Sequence, residues 1–157
     1  MNFDLTDEQQ QLADSLRKYL ANAYSFETRK ATILSDSGLN AAAWTAFAEM
    51  GLTALALPEA DGGFGGGAVD LMPAMEAFGE SLVVEPLLDN VGLAGRLVAR
   101  AGSVAQRTAL LPGLADGSHR LAFASLEPGR RYSLAPATTV AKPNAGGWQL
   151  DGAKCVV

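Results

Sequence analysis

The chain has 157 residues with 17 acidic against 12 basic side chains, a formal net charge of -5 that leaves no surplus of cations to neutralise a phosphate backbone, so nucleic acid is excluded as a partner. Hydrophobic residues make up 48% and charged residues 18%, enough for a buried core and too much for a disordered chain. One cysteine and one histidine exclude an internal disulfide and a zinc cage, no run reaches the roughly 18 apolar residues of a spanning helix, and the opening Met1-Asn2-Phe3-Asp4 lacks a basic and apolar leader, which points to the cytoplasm.

Thr6-Asp7-Glu8-Gln9 has the form of a capping box, and Leu12, Leu16, Tyr19 and Leu20 recur behind it at helical spacing, predicting a first helix that ends near Tyr24. A second, shorter helix is expected from Phe26 to Leu34, closed by Ser35-Asp36-Ser37-Gly38. Asn40 can cap a third, with Trp44, Phe47 and Met50 on one side and Gly51 as its left-handed terminator. Leu52 to Leu57 connects to a glycine-rich loop, Pro58 to Gly67, and a fourth helix is expected over residues 70–82 with Met72, Met75 and Phe78 on its buried face and Pro73 in its first turn. A fifth runs from Leu87 to Ala101 with Leu87, Val91, Ala94 and Val98 in line, and Ser103-Val104-Ala105-Gln106 opens a sixth that stops near Asp116-Gly117. Past Gly117, short runs at Leu121–Ala124, Thr138–Ala141 and Trp148–Leu150 alternate with turn residues and predict strands. The fold class is therefore mainly α: a six-helix N-terminal bundle over residues 1–117, followed over residues 118–157 by the first strands of an incomplete antiparallel β-domain. A sheet that stops in mid-strand at Cys155-Val156-Val157 implies a truncated chain.

Few residues demand chemistry. Gly63-Phe64-Gly65-Gly66-Gly67-Ala68 fits a dinucleotide-binding pattern, but Pro58 to Asp61 separates it from the only strand-like run before it and no second βαβ unit follows, so a helix-connecting loop is the expectation. Glu76 and Glu80 lie one helical turn apart, and Asp14 with Lys18 and Glu127 with Arg130 or Arg131 form default surface ion pairs. Met50, Met72 and Met75 fit a core, His119 an exposed turn, and Cys155 a small buried hydrophobe. The segment from Leu121 to Ser133 differs: a strand ending in Glu127-Pro128 and a polar irregular stretch can aim amides and hydroxyls at a cofactor.

Leu5 to Gln9, Met50-Gly51-Leu52 with Leu57-Pro58-Glu59, Asp61-Gly62-Gly63 and Gly65, Leu111-Pro112 through Gly117, Phe123 to Pro128, and Gly147 to Lys154 follow one another in an order that resembles the acyl-CoA dehydrogenase family over nearly the full length: its opening, its "GL…PEEYGGLG" and "LP…G" signatures, and its "A.TEP" and "GYVLNGTK" segments. The resemblance implies an enzyme that uses flavin adenine dinucleotide (FAD) to take hydrogens from C2 and C3 of an acyl-CoA thioester, with an electron-transfer flavoprotein or similar acceptor and a homo- or hetero-oligomeric assembly. It implies Phe123, Ser125 and Leu126 near the flavin, with Arg131, Tyr132 and Ser133 close to flavin or substrate, and Met75, Phe78, Val91 and Ala94 as acyl-chain contacts. The family's catalytic glutamate belongs to a second helical domain after the sheet, so no residue here is assigned as catalytic and the chain alone is expected to be inactive. Leu126 stands where most members carry a threonine, and Gly129 to Ser133 replaces "GAGSD"; this is similar to the small subunit of the pimeloyl-CoA dehydrogenase type, which leaves a non-catalytic assembly subunit as the alternative.

Overall fold

The computed structural model describes residues 4–130, 133 and 138–155, and its contacts divide the chain into two compact units, Met1–Leu121 and Ala122–Val157. The first unit is helical: α1 Asp7–Ala23, α2 Phe26–Ile33, α3 Ala41–Glu49, α4 Ala68–Ser81, α5 wound as a π-helix over Leu88–Gly95 and as an α-helix over Arg96–Ala101, and α6 Val104–Ala115. In the second, β1 Val140–Asn144 pairs antiparallel with β2 Gly147–Asp151. The expected six helices with the start of an antiparallel sheet are what the chain forms.

The helix starts sit where the capping chemistry puts them. Thr6 accepts the Gln9 N–H at 3.2 Å while the Gln9 amide oxygen accepts the Thr6 N–H at 2.9 Å, and Ser103 with Gln106 repeats the arrangement at α6. Asn40 caps α3 through the Ala43 N–H, and Gly51, at φ +80°, ends it. The fourth helix begins two residues earlier than its apolar spacing predicts, because Asp70 reaches back to accept the Gly67 N–H at 2.7 Å. Pro73 consequently lies in the second turn, where its missing N–H costs an internal hydrogen bond. The buried stripe of α4 is Leu71, Ala74, Ala77 and Phe78, so Met72 faces outward at 36% exposure, while Phe78 and the half-buried Met75 keep their expected places against the core.

Phe47, fully buried, is the centre of the core. Tyr19 of α1 meets it edge-on at 5.9 Å and Phe78 of α4 lies tilted against it at 4.8 Å, while Leu16, Leu20, Leu52, Leu57, Leu87, Val91, Leu111 and Leu114 close the shell. In α5 the expected regular helix is unwound by one residue per turn, since Gly92 and Gly95 weaken the α conformation. The π winding brings Asn90 inward, where its Oδ1 accepts the Leu121 N–H at 2.6 Å.

The glycine-rich loop is folded on itself. The N–H groups of Gly63, Gly65 and Gly66 donate to the carbonyls of Pro58, Leu57 and Leu55, and a Cβ at Gly63 would run into the Leu57 carbonyl. Among the described residues no strand precedes it, so the dinucleotide pattern is met by composition alone. Leu121–Ala124, expected as a strand, has no ladder partner among the described residues; one bond from the Cys155 N–H to the Leu126 carbonyl, at 2.9 Å, is the nearest approach to pairing.

A buried carboxylate joins three helices. Glu85, 4% exposed, accepts the Tyr24 hydroxyl at 2.6 Å and the Asn40 N–H at 3.0 Å, and the Tyr24 oxygen in turn accepts the Val84 N–H at 3.1 Å. Burial, reinforced by the bond to Glu85, pushes the Tyr24 phenol up to about 12. Because the folded value lies above the ordinary value of 10.0, the contribution of this phenol to stability is complete below about pH 10 and disappears as pH climbs through about 12. Tyr24→Phe is expected to cost about 1–3 kcal/mol near neutral pH by orphaning the Glu85 oxygen and the Val84 N–H. Denaturant titrations between pH 9 and about 12 should show a steeper fall for the wild-type protein than for the variant, and equal slopes would refute the role assigned to the hydroxyl.

Candidate functional site

In the second unit, an extended segment leads from Ala122 to a carboxylate that is fully engaged. Phe123 is 40% exposed, and the N–H groups of Ala122 to Leu126, with the Ser125 hydroxyl, donate to no described group. The carbonyls of Ser125 and Leu126 are held instead: Lys154 Nζ lies 3.4 Å from the Ser125 oxygen, and the Cys155 N–H donates to Leu126. The segment therefore presents donors and an aromatic face with its acceptors tied back, a set that suits a planar, acceptor-rich ring.

Glu127, 4% exposed, anchors this arrangement. One oxygen accepts the Thr138 N–H and hydroxyl, both at 2.9 Å, and the other accepts the Thr139 N–H at 3.1 Å and the Lys154 ammonium at 3.0 Å. These donors, the Thr138 amide first, hold the carboxyl far below its usual range against the opposing effect of burial. A carboxylate so satisfied is a staple and not a base. The donors that bury and fix Glu127, from Thr138, Thr139 and Lys154, come from residues 11 to 27 positions away in the chain, and Arg131 of the local pairing expected from sequence lies outside the described residues.

The other sequence-derived residues separate into groups. Arg131 and Tyr132 lie outside the described residues, and Ser133 is exposed with its N–H on the Arg130 carbonyl at 3.0 Å. In the helical unit, Met75 and Phe78 line a cleft of about 420 Å³ between the end of α4 and the start of α5, with Glu85, Pro86 and Asp89 opposite. Met75 also borders a second cleft of about 330 Å³ toward Leu71, Met72 and Arg96, whereas Val91 and Ala94 are sealed in the core at 0% and 4% exposure. Arg17 lies 2.9 Å from Glu80 and 3.9 Å from Glu76, so a cation from α1 relieves the carboxylate pair. His119 is exposed as expected, and Cys155 is half-buried. Among the described residues no group of histidine, cysteine, aspartate and glutamate could hold a metal ion, and no helix is long and apolar enough to cross a membrane.

Glu127, Lys154, Thr138, Thr139 and Asn90 are the polar residues that sequence reasoning did not place at a site. The signal available for the first two was that they sit in the two β-segment motifs, "EP" and "GAK"; for Asn90, an amide on an otherwise apolar face of α5 was the clue.

Residues 6–118 match the family described as acyl-CoA dehydrogenase, N-terminal domain. The chain belongs to that family. Among curated relatives, it is 29% identical over 163 residues to the acyl-CoA dehydrogenase FadE12 of Mycobacterium tuberculosis and 28% identical over 160 residues to the NADH-dependent acryloyl-CoA reductase of Anaerotignum propionicum. These alignments cover 99% and 100% of this chain but 40% of each relative, so the chain spans less than half the length of the curated relatives it matches. Among solved structures, a variant of the Tcur3481-Tcur3483 steroid acyl-CoA dehydrogenase shares 33% identity with a TM-score of 0.86 over 96% of this chain and 41% of its own. The ChsE4-ChsE5 complex of Mycobacterium tuberculosis, at 22% identity and a TM-score of 0.84 over 97% of this chain and 40% of its own, shares the acyl-CoA dehydrogenase fold.

For the Glu127 staple the sign of the pH effect follows from its lowered value. Its stabilising contribution is present above the ordinary carboxylate range, about pH 4.3, and is lost as pH falls below that. The protection factors of the Thr138 and Thr139 amides, taken against the intrinsic exchange rate at each pH, should fall on acidification in the wild-type protein, and Glu127→Gln should show the lower protection already at neutral pH with little further acid dependence. Protection of both amides in the variant at neutral pH would count against the staple.

Proposed function

We propose that this chain is the N-terminal part of a flavin-dependent acyl-CoA dehydrogenase that introduces a double bond between C2 and C3 of an acyl-CoA thioester in the cytoplasm. The observation that carries the reading is the family match over residues 6–118 on a chain that folds as six helices feeding an antiparallel hairpin. FAD, when bound, supplies the acceptor for the hydride leaving the β-carbon. The residues present fit it: the amides of Ala122 to Leu126 and the Ser125 hydroxyl, without acceptors among the described residues, offer hydrogen bonds to the acceptors of the ring, and the exposed Phe123 offers an apolar face. Arg131, Tyr132 and Ser133 follow in sequence and complete the proposed cofactor or substrate contacts.

On the helical unit, Met75 and Phe78 are proposed to line the acyl path, with Val91 and Ala94 acting on it only through the packing behind them. Such a wall orders the chain and keeps water from the reacting carbons. The base that takes the α-proton is assigned to sequence outside this chain, so the chain alone is expected to be inactive. Electrons leave to an electron-transfer flavoprotein or similar acceptor.

A second reading is a non-catalytic assembly subunit of a heteromeric dehydrogenase. Leu126 favours it, since its side chain offers the cofactor no hydroxyl, and the occurrence of this fold in the ChsE4-ChsE5 complex supports it.

A visible spectrum of the full-length protein that contains this chain, before and after anaerobic addition of an acyl-CoA, tests both. Flavin bands that bleach with acyl-CoA are the expected result. A colourless protein that gains flavin only in complex with a partner subunit would establish the assembly reading, and no flavin in either state would overturn the assignment of a flavoenzyme.

A further inference from the structure

The Ser125 carbonyl contacted by Lys154 belongs to the same peptide group as the Leu126 N–H. The ammonium lies 3.4 Å from that oxygen and 3.0 Å from a Glu127 oxygen, while the Leu126 carbonyl is fixed by the next residue, Cys155, at 2.9 Å. Two successive carbonyls are thus held by consecutive residues, and the Leu126 N–H between them is left without an acceptor among the described residues. A positive charge at the carbonyl end of a peptide draws electrons toward the oxygen and makes the N–H a stronger donor, an effect that low local dielectric enlarges. Lys154 is held in place for this by a carboxylate that the Thr138 N–H and hydroxyl and the Thr139 N–H also fix.

We propose that Lys154, positioned by Glu127, polarises the Ser125–Leu126 peptide so that the Leu126 N–H acts as a charge-strengthened hydrogen-bond donor to the flavin ring, at a residue whose own side chain can donate nothing. This assignment rests on the flavoenzyme reading above. Neither residue is catalytic; both are positioning residues, and their effect is to favour the reduced, more electron-rich state of the bound cofactor.

The test is the midpoint reduction potential of the flavin in the loaded holoprotein, measured for the wild type, Lys154→Met, Lys154→Gln and Lys154→Arg, with thermal melts to show that each variant is folded. Lys154→Met should lower the preference for the reduced state at least tenfold, a shift of about 30 mV to more negative potential for a two-electron couple. Lys154→Gln, which keeps a neutral donor, should fall in between and supplies the answer should the methionine variant not fold. Lys154→Arg should stay near the wild type. An unchanged potential in a folded Lys154→Met or Lys154→Gln protein overturns the proposal, as does an arginine variant as impaired as methionine, since that outcome assigns the effect to packing. A wild-type protein without flavin bands sinks the flavoenzyme reading itself and is recognised before any variant is made.

Discussion

The helical unit depends on a carboxylate placed where water cannot reach it. Glu85 lies in the turn between α4 and α5, and its oxygens accept from the end of α1 through Tyr24 and from the start of α3 through Asn40. A buried charge without such donors would cost several kcal/mol, about the margin by which a small domain is stable at all. Satisfying it therefore fixes three helix ends together, and with them the positions of Met75, Phe78 and the cleft that α4 and α5 form. Hydrophobic burial around Phe47 supplies the bulk of the stabilisation, but it is indifferent to small rotations of one helix on another. The polar contacts among Tyr24, Glu85 and Asn40 are directional and remove that freedom.

The sequence displayed what is local. The starts of α1, α3 and α6 could be placed from Thr6, Asn40 and Ser103 because a cap and its target amide lie three residues apart. The start of α4 could not, because Gly67 has no capping side chain and the reciprocal bond comes from Asp70 alone; the error of two residues rotated the assumed face and placed Met72 inside. The π winding of α5 was invisible for a related reason, since hydrophobic spacing of 3.6 and the observed pattern of Asn90, Val91, Ala94 and Gly95 share most of their apolar positions. Residues 121–124 have strand-like composition, yet a strand exists only with a neighbour to pair with.

The candidate site was legible as a region and not as a mechanism. The run from Phe123 to Glu127 was marked by its motif and by the irregular polar stretch that follows. What the sequence could not reveal is that Glu127 is buried and that Lys154, 27 residues later, bridges it to the Ser125 carbonyl. Charge pairing within a few residues is the default for an exposed glutamate, and only the folded arrangement of Thr138, Thr139 and Lys154 around one carboxylate reveals its buried, long-range partners. Asn90 is a parallel case in the helical unit: one end of its amide receives the N–H of Leu121, the residue where that unit ends, while its Nδ2 stays buried without a partner among the described residues.

The bend between Leu55 and Gly67 carries an implication for how sequences of this kind are interpreted. Glycines accumulate wherever a backbone must come close to something that tolerates no Cβ, and a bound pyrophosphate is only one such neighbour. Here the neighbour is the polypeptide itself, whose carbonyls at Leu57 and Leu55 occupy the room that side chains on Gly63 and Gly66 would need. Selection for self-contact and selection for nucleotide contact thus leave the same spelling, and what tells them apart is whether the crowding atom belongs to the chain or to a guest.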